Sequence, residues 1–169
     1  MLSPQVELAR KAIEAYVKEG KKIFPPKDLS PELKEKAGVF VSLHKGDQLR
    51  GCIGTFLPTK KNVAEEIISN AIESSTRDPR FPPVTEDEIT ELEISVDVLT
   101  KPQPVLNMNE LDPKKWGIIV SSSGRRGLLL PDLEGVDTAE KQIEICRRKA
   151  WLGDDEPITI EKFQVRRFH

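Results

Sequence analysis

The sequence predicts an α+β fold with a largely antiparallel sheet, because segments of alternating hydrophobicity arrive in hairpin pairs and each pair precedes a segment of helical period. Two observations carry this: hairpin candidates over 39–56 and 116–130, each with a glycine in its turn, and helical apolar stripes over 63–72 and 139–150. The two hairpin-then-helix stretches suggest a structural duplication without sequence self-similarity. A chain of 169 residues suits one domain over 1–169, with room for two lobes meeting near the Pro-rich segment 101–115. It can bury a core without disulfides or metal.

Each element has its own signal. Ser3-Pro4, then Val6, Ala9, Ala12, Ile13, Tyr16 and Val17, then Gly20, combine an N-cap, a first-turn proline, an apolar stripe and a terminating glycine. A second Ser-Pro start at Ser30-Pro31, among prolines and ending at Gly38, predicts at most a short helix in a loop. "GVFVSLHKGDQLRGCIGTF" predicts strands over 39–44 and 49–56 around Gly46-Asp47. Val63, Ile67, Ile68, Ala71 and Ile72 predict a helix that Asp78-Pro79-Arg80-Phe81-Pro82-Pro83 ends. Thr85 with Glu88 forms a capping box for a short turn to about Leu92, after which Ile94, Val96 and Val98 alternate with polar residues as a half-buried strand does.

The segment 101–115 reads as extended or turned. Strands near 116–121 and 126–130 make the second hairpin. Asp137 with Glu140 predicts another capping box, and Ala139, Ile143, Cys146 and Ala150 trace one helical face, which makes Cys146 a core residue. "PITIEKFQVRRF" supplies a closing strand.

Charge and composition exclude several functions. Lys and Arg number 26 against 28 Asp and Glu, a net charge of -2, so no global basic field attracts nucleic acid or a membrane. One Tyr and two Trp leave little to stack bases on, so RNA is not favoured, although Gly124-Arg125-Arg126-Gly127 offers local phosphate contact as the alternative to a solvated turn. No apolar run is long enough for a membrane span, and the capped helix right after Met1 argues against a signal peptide. Two cysteines are too few for a secreted disulfide framework, so a cytoplasmic setting is expected.

The chemistry concentrates in "LRGCIGTF" at 49–56. In a regular strand Arg50 and Cys52 share a face, with Leu49, Gly51 and Ile53 on the other. A cation beside a thiol favours the thiolate, the nucleophilic and metal-binding form. Gly51 and Gly54 allow close approach of a backbone or a ligand. Against this stands ordinary packing, with Cys52 as a small hydrophobe and Arg50 in a salt bridge. His44 would lie opposite Leu49 and off the Cys52 face with a two-residue loop, and come round with a three-residue one. His169 is terminal and no third ligand has zinc spacing, so no metal site is expected. Arg80, pinned between prolines, either lines an anion pocket or belongs to a helix stop. No Walker loop, dinucleotide fingerprint, nucleophile elbow or HExxH occurs, so no cofactor is expected.

The block "LRGCIGTF", with "GVFVSLHKGDQLRGCIGTF", "DPRFPPVTEDEI", "EISVDVLT" and "GRRGLLLPDLEGVDTAEKQIEICRRKA", resembles the AMMECR family, and in bacteria and archaea such chains look like protein A of the AmmeMemoRadiSam neighbourhood. The resemblance implies a barrel-like antiparallel sheet built from two related halves, with flanking helices and a cleft between a larger and a smaller lobe. It implies a radical SAM protein and a Memo-like protein as partners. Arg50, Gly51, Cys52, Gly54 and Thr55 map onto the family motif, with the cleft as their expected place. Trp151 stands where the family often has glycine. Three functions compete: a thiol-dependent enzyme or modification component using Cys52, with Arg50 keeping the thiol anionic or holding a small anionic substrate and Thr55 giving a hydrogen bond; a non-catalytic module for a protein partner or RNA; and a purely structural motif.

Overall fold

The structure, a computed structural model, describes residues 1–169. Helix α1 (Pro4–Glu19) begins at Ser3, whose hydroxyl accepts the Val6 N–H, and ends at Gly20 with φ 65°. Only glycine adopts that left-handed conformation without steric cost. The short helix α2 (Pro31–Lys34) buries Leu33. Strands β1 (Val39–Lys45) and β2 (Gln48–Gly54) pair antiparallel across a two-residue Gly46-Asp47 loop. Helix α3 (Val63–Thr76) follows, capped by Asn62. The Thr85/Glu88 capping box forms and opens a 3-10 turn, Glu86–Glu91, ahead of β3 (Glu93–Leu99), which pairs antiparallel with β1.

The segment expected to be an extended linker contains β4 (Gln103–Pro104) and a 3-10 turn, Met108–Glu110. Strands β5 (Gly117–Ser122) and β6 (Arg125–Leu129) make the second hairpin. Helix α4 (Ala139–Lys149) is capped by Thr138, whose hydroxyl accepts the Lys141 N–H at 3.1 Å. Asp137 does not form the expected box and instead pairs with Lys114 at 3.3 Å. The closing strand is two strands, β7 (Thr159–Phe163) and β8 (Val165–Phe168), which enter different sheets.

Two compact units result, Met1–Leu99 with Arg166–His169, and Thr100–Val165. Their sheets have the orders β2-β1-β3-β8 and β4-β7-β5-β6. The barrel-like antiparallel sheet that the resemblance implied is present but not closed. Each sheet has four strands and two edges, and closure with a filled interior takes about eight. The duplication is visible inside each unit: a hairpin, a helix, then a third strand returning to the hairpin's first strand. In both, a glycine lies under the helix. A β-carbon on Gly51 would overlap the Ser74 carbonyl oxygen of α3, and one on Gly127 would overlap the Cys146 carbonyl oxygen of α4.

In the first unit α1 and α3 cover the face of the sheet that carries Val39, Val41 and Leu43, all fully buried. In the second, α4 covers Ile118, Val120 and Leu129, and Cys146 is wholly buried there as expected. Burial pushes the Cys146 thiol up to about 12. No helix is long and apolar enough to cross a membrane.

Candidate thiol site on the first sheet

The strand that carries the motif is not regular. Leu43 pairs with Gly51 but His44 pairs with Leu49, so Arg50 is an extra residue with no partner on β1, a β-bulge. The bulge corrects two expectations at once. Arg50 and Cys52 do not follow the simple alternation that would aim them together. Leu49 and its partner His44 move onto the face opposite the helices, where Ser42 and Cys52 also stand, even though the loop has two residues. That face therefore carries Cys52, Ser42 and Ser95 in one cross-strand row, with His44 one pleat along from Ser42.

Cys52 is half-buried. Its sulfur lies 3.1 Å from the Ser42 hydroxyl, the residue directly across the hairpin. Its backbone is held on the outer edge of β2 by the Asp78-Pro79-Arg80 turn. The Cys52 N–H donates to Asp78 Oδ2 at 3.0 Å, and its carbonyl accepts from Arg80 at 3.2 Å. Arg80 also donates to both Asp78 oxygens, at 3.0 and 2.8 Å. This guanidinium, twenty-eight residues away in sequence, thus donates to the Cys52 carbonyl and interacts electrostatically with Cys52. The Asp78 side chain is almost fully buried, and the Arg80 hydrogen bonds hold its carboxyl down at about 2 against the cost of burial.

The other motif residues are engaged within the fold. Arg50 donates to both oxygens of Glu88, each at 3.0 Å, and to the Pro82 carbonyl at 2.8 Å. That fork holds the Glu88 carboxyl down at about 2 and ties β2 to the 3-10 turn. Arg50, expected to keep the thiol anionic or to hold an anionic substrate, thus has its guanidinium engaged by Glu88 and Pro82. Gly51 and Gly54 offer no room to a substrate: the approaching groups are the Ser74 carbonyl and the Phe40 ring of the protein itself. Thr55 donates to Glu66 Oε2 at 3.0 Å instead of facing an open site. Glu66 is fully buried and also accepts from the Thr59 and Lys60 backbone, which pins the loop after β2.

Sequence reasoning missed Ser42 and the role of Asp78. Regular pairing of the hairpin about its Gly46-Asp47 loop sets Ser42 opposite Gly51, and only the bulge brings it across from Cys52. Asp78 gave only the signal of an Asp-Pro turn. No group of three or more His, Cys, Asp or Glu stands close enough to hold a metal ion.

The AMMECR1 family model matches residues 6–169, which takes in the bulged hairpin, the Asp78-Arg80 turn and both units. The chain belongs to the AMMECR1 family. A Thermotoga maritima relative is 52% identical over 98% of this chain and 97% of its own length. A Clostridium acetobutylicum relative is 49% identical over 97% of the chain, which corresponds to only 35% of that longer protein. The crystal structure of the uncharacterized protein PH0010 from Pyrococcus horikoshii superposes with a TM-score of 0.88 at 39% identity, covering 96% of this chain and 88% of that one. The AMMECR1 fold is thus the mixed α+β arrangement of two antiparallel four-stranded sheets described above.

Proposed function

We propose that the protein is a thiol-dependent enzyme or modification component in which Cys52 is the reacting group, Ser42 donates a hydrogen bond to its sulfur and Arg80 supplies the adjacent positive charge. The observation that carries this reading is the Ser42 Oγ to Cys52 Sγ distance of 3.1 Å beside a guanidinium whose side chain keeps 54% of its surface exposed. That exposed edge of Arg80 suits the anionic group of a small substrate. In the reaction the Cys52 thiolate forms a bond to an electrophilic centre as the leaving group departs with its electron pair, and a second acceptor then takes the group from sulfur. His44, on the same face, is the candidate to carry the proton. A radical SAM protein and a Memo-like protein as donor or acceptor rest on the family resemblance alone.

Alkylation by iodoacetamide at neutral pH tests it, and the buried Cys146 is an internal reference. Cys52 is expected to react faster in the folded protein than in urea, while Cys146 reacts only after unfolding. Arg80→Gln and Ser42→Ala are each expected to slow Cys52 several-fold. A folded-state rate no greater than the unfolded one sinks the reading. The purely structural motif would then remain, which the engagement of Arg50, Gly51, Gly54 and Thr55 within the fold already favours for those four residues.

A further inference from the structure

Away from the thiol site, the first unit has a cavity of about 220 Å³ lined by Ile23, Phe24, Pro25 and Ile68, with Lys22, Lys60 and Glu65 at its walls. Its composition is unusual for a surface hollow. Ile68 is 1% exposed and forms the floor, whereas Phe24 is 89% exposed although it is among the largest apolar side chains of the chain. An aromatic ring left in water beside an apolar hollow marks surface that a ligand covers. The cations are equally unsatisfied. Lys21 next door pairs with Glu19 at 2.9 Å, but neither Lys22 nor Lys60 has a carboxylate within salt-bridge distance. Glu65 does not neutralise them, and its Oε2 accepts the Lys61 N–H at 3.3 Å.

We propose that this cavity binds a small amphipathic carboxylate, an acyl chain of medium length whose methylenes fill the Ile23–Phe24–Pro25–Ile68 hollow and whose carboxylate meets the Lys22 and Lys60 ammonium groups. Charge complementarity selects the anion, since the walls hold two lysines and one glutamate. The lining selects the chain: it has no hydroxyl, amide or imidazole side chain with which to recognise a sugar or a nucleobase. The volume selects the size, because about 220 Å³ lies under the roughly 300–1,000 Å³ of sites for drug-sized ligands.

Calorimetric titration of the whole chain with octanoate, with 1-octanol as the uncharged control, tests this. Octanoate is expected to bind once per chain and at least tenfold more tightly than 1-octanol. The double variant K22M/K60M keeps the apolar stems and removes both charges; it should weaken octanoate at least tenfold and leave 1-octanol unchanged. Glu65→Gln should tighten octanoate. Phe24→Asp, at an exposed position, should abolish binding of both probes without lowering the melting temperature. No saturable octanoate binding, equal affinity for the two probes, or full affinity in K22M/K60M would each overturn the proposal. The alkylation rate of Cys52 is independent of all of these outcomes, so the two readings fail separately.

Discussion

Asp78 shows how one side chain joins stability to the candidate chemistry. It accepts the Cys52 N–H and three donors of Arg80, its backbone N–H and two guanidinium N–H groups, while almost fully buried, so its charge is tolerated only because these partners replace water. Its carboxyl falls from an ordinary 3.8 to about 2. A depressed carboxyl stabilises the fold fully above pH 4 and loses that contribution as pH falls toward 2, on the order of 2 kcal/mol for this shift. Glu88, held at about 2 chiefly by Arg50, adds to the same window. Urea unfolding at stepped pH is therefore expected to show stability falling steeply from pH 4 to pH 2. Asp78→Asn should lower stability at pH 7 and flatten that slope by about one proton; an unchanged slope would place the linkage elsewhere. Asp97 is a second buried carboxylate held by an arginine: it is 2% exposed and accepts two hydrogen bonds from Arg167 at 2.8 Å. Arg167→Ala is expected to cost roughly 2–3 kcal/mol in denaturant titration, less than a fully buried pair because the arginine side chain is 28% exposed.

At the scale of elements, the helices press on glycines and end in ways that can be altered singly. Gly51→Ala would drive a methyl group into the Ser74 carbonyl of α3, and backbone cannot rotate away as a side chain can, so a loss of about 2–3 kcal/mol is expected. Gly127→Ala should behave alike against α4. At the end of α4, Trp151 donates to the Arg148 carbonyl and Leu152 to the Arg147 carbonyl, a Schellman ending with tryptophan in the left-handed position at φ 58°. Its ring is 86% exposed, so little packing offsets the strain. Trp151→Gly is expected to stabilise the protein by about 0.5–1 kcal/mol, read as a higher melting temperature.

Some ends were legible in sequence, because caps depend on residues within one turn: Ser3-Pro4 and Gly20 bound α1 and Thr85 with Glu88 opens its turn, whereas the start of α4 was read one residue early, at Asp137 instead of Thr138. The β2 bulge was not legible. It depends on pairing with β1 and on the Arg50 fork to Glu88, thirty-eight residues on, and neither leaves a trace in the spacing of "LRGCIGTF". The single error of register misplaced His44 relative to Cys52. The division of "PITIEKFQVRRF" into β7 and β8 was hidden for the same reason, since it depends on which strands each half pairs with, and the partner changes at Gln164.

For the whole molecule, the two units repeat one plan with unequal cores. The first draws on α1, α3 and the turn around Ile89 as well as its strands, whereas the second buries its sheet under α4 with the flanking Val136 and Leu152; each encloses one glutamine oxygen without a hydrogen-bond partner, Gln5 Oε1 and Gln142 Oε1. Local opening follows the density of buried apolar contacts, so the units should not exchange amide protons alike. Native-state hydrogen exchange is expected to protect β1 and α3 at least tenfold more than β5 and α4, with the second unit opening at lower free energy. Low denaturant should narrow this gap, because a sub-global opening of the second unit exposes less surface and so has a smaller denaturant dependence than the global opening that releases β1 and α3. Protection that is equal in the two units from the outset would mean that the chain opens only as one cooperative body, and the unequal cores would then have no separate thermodynamic existence.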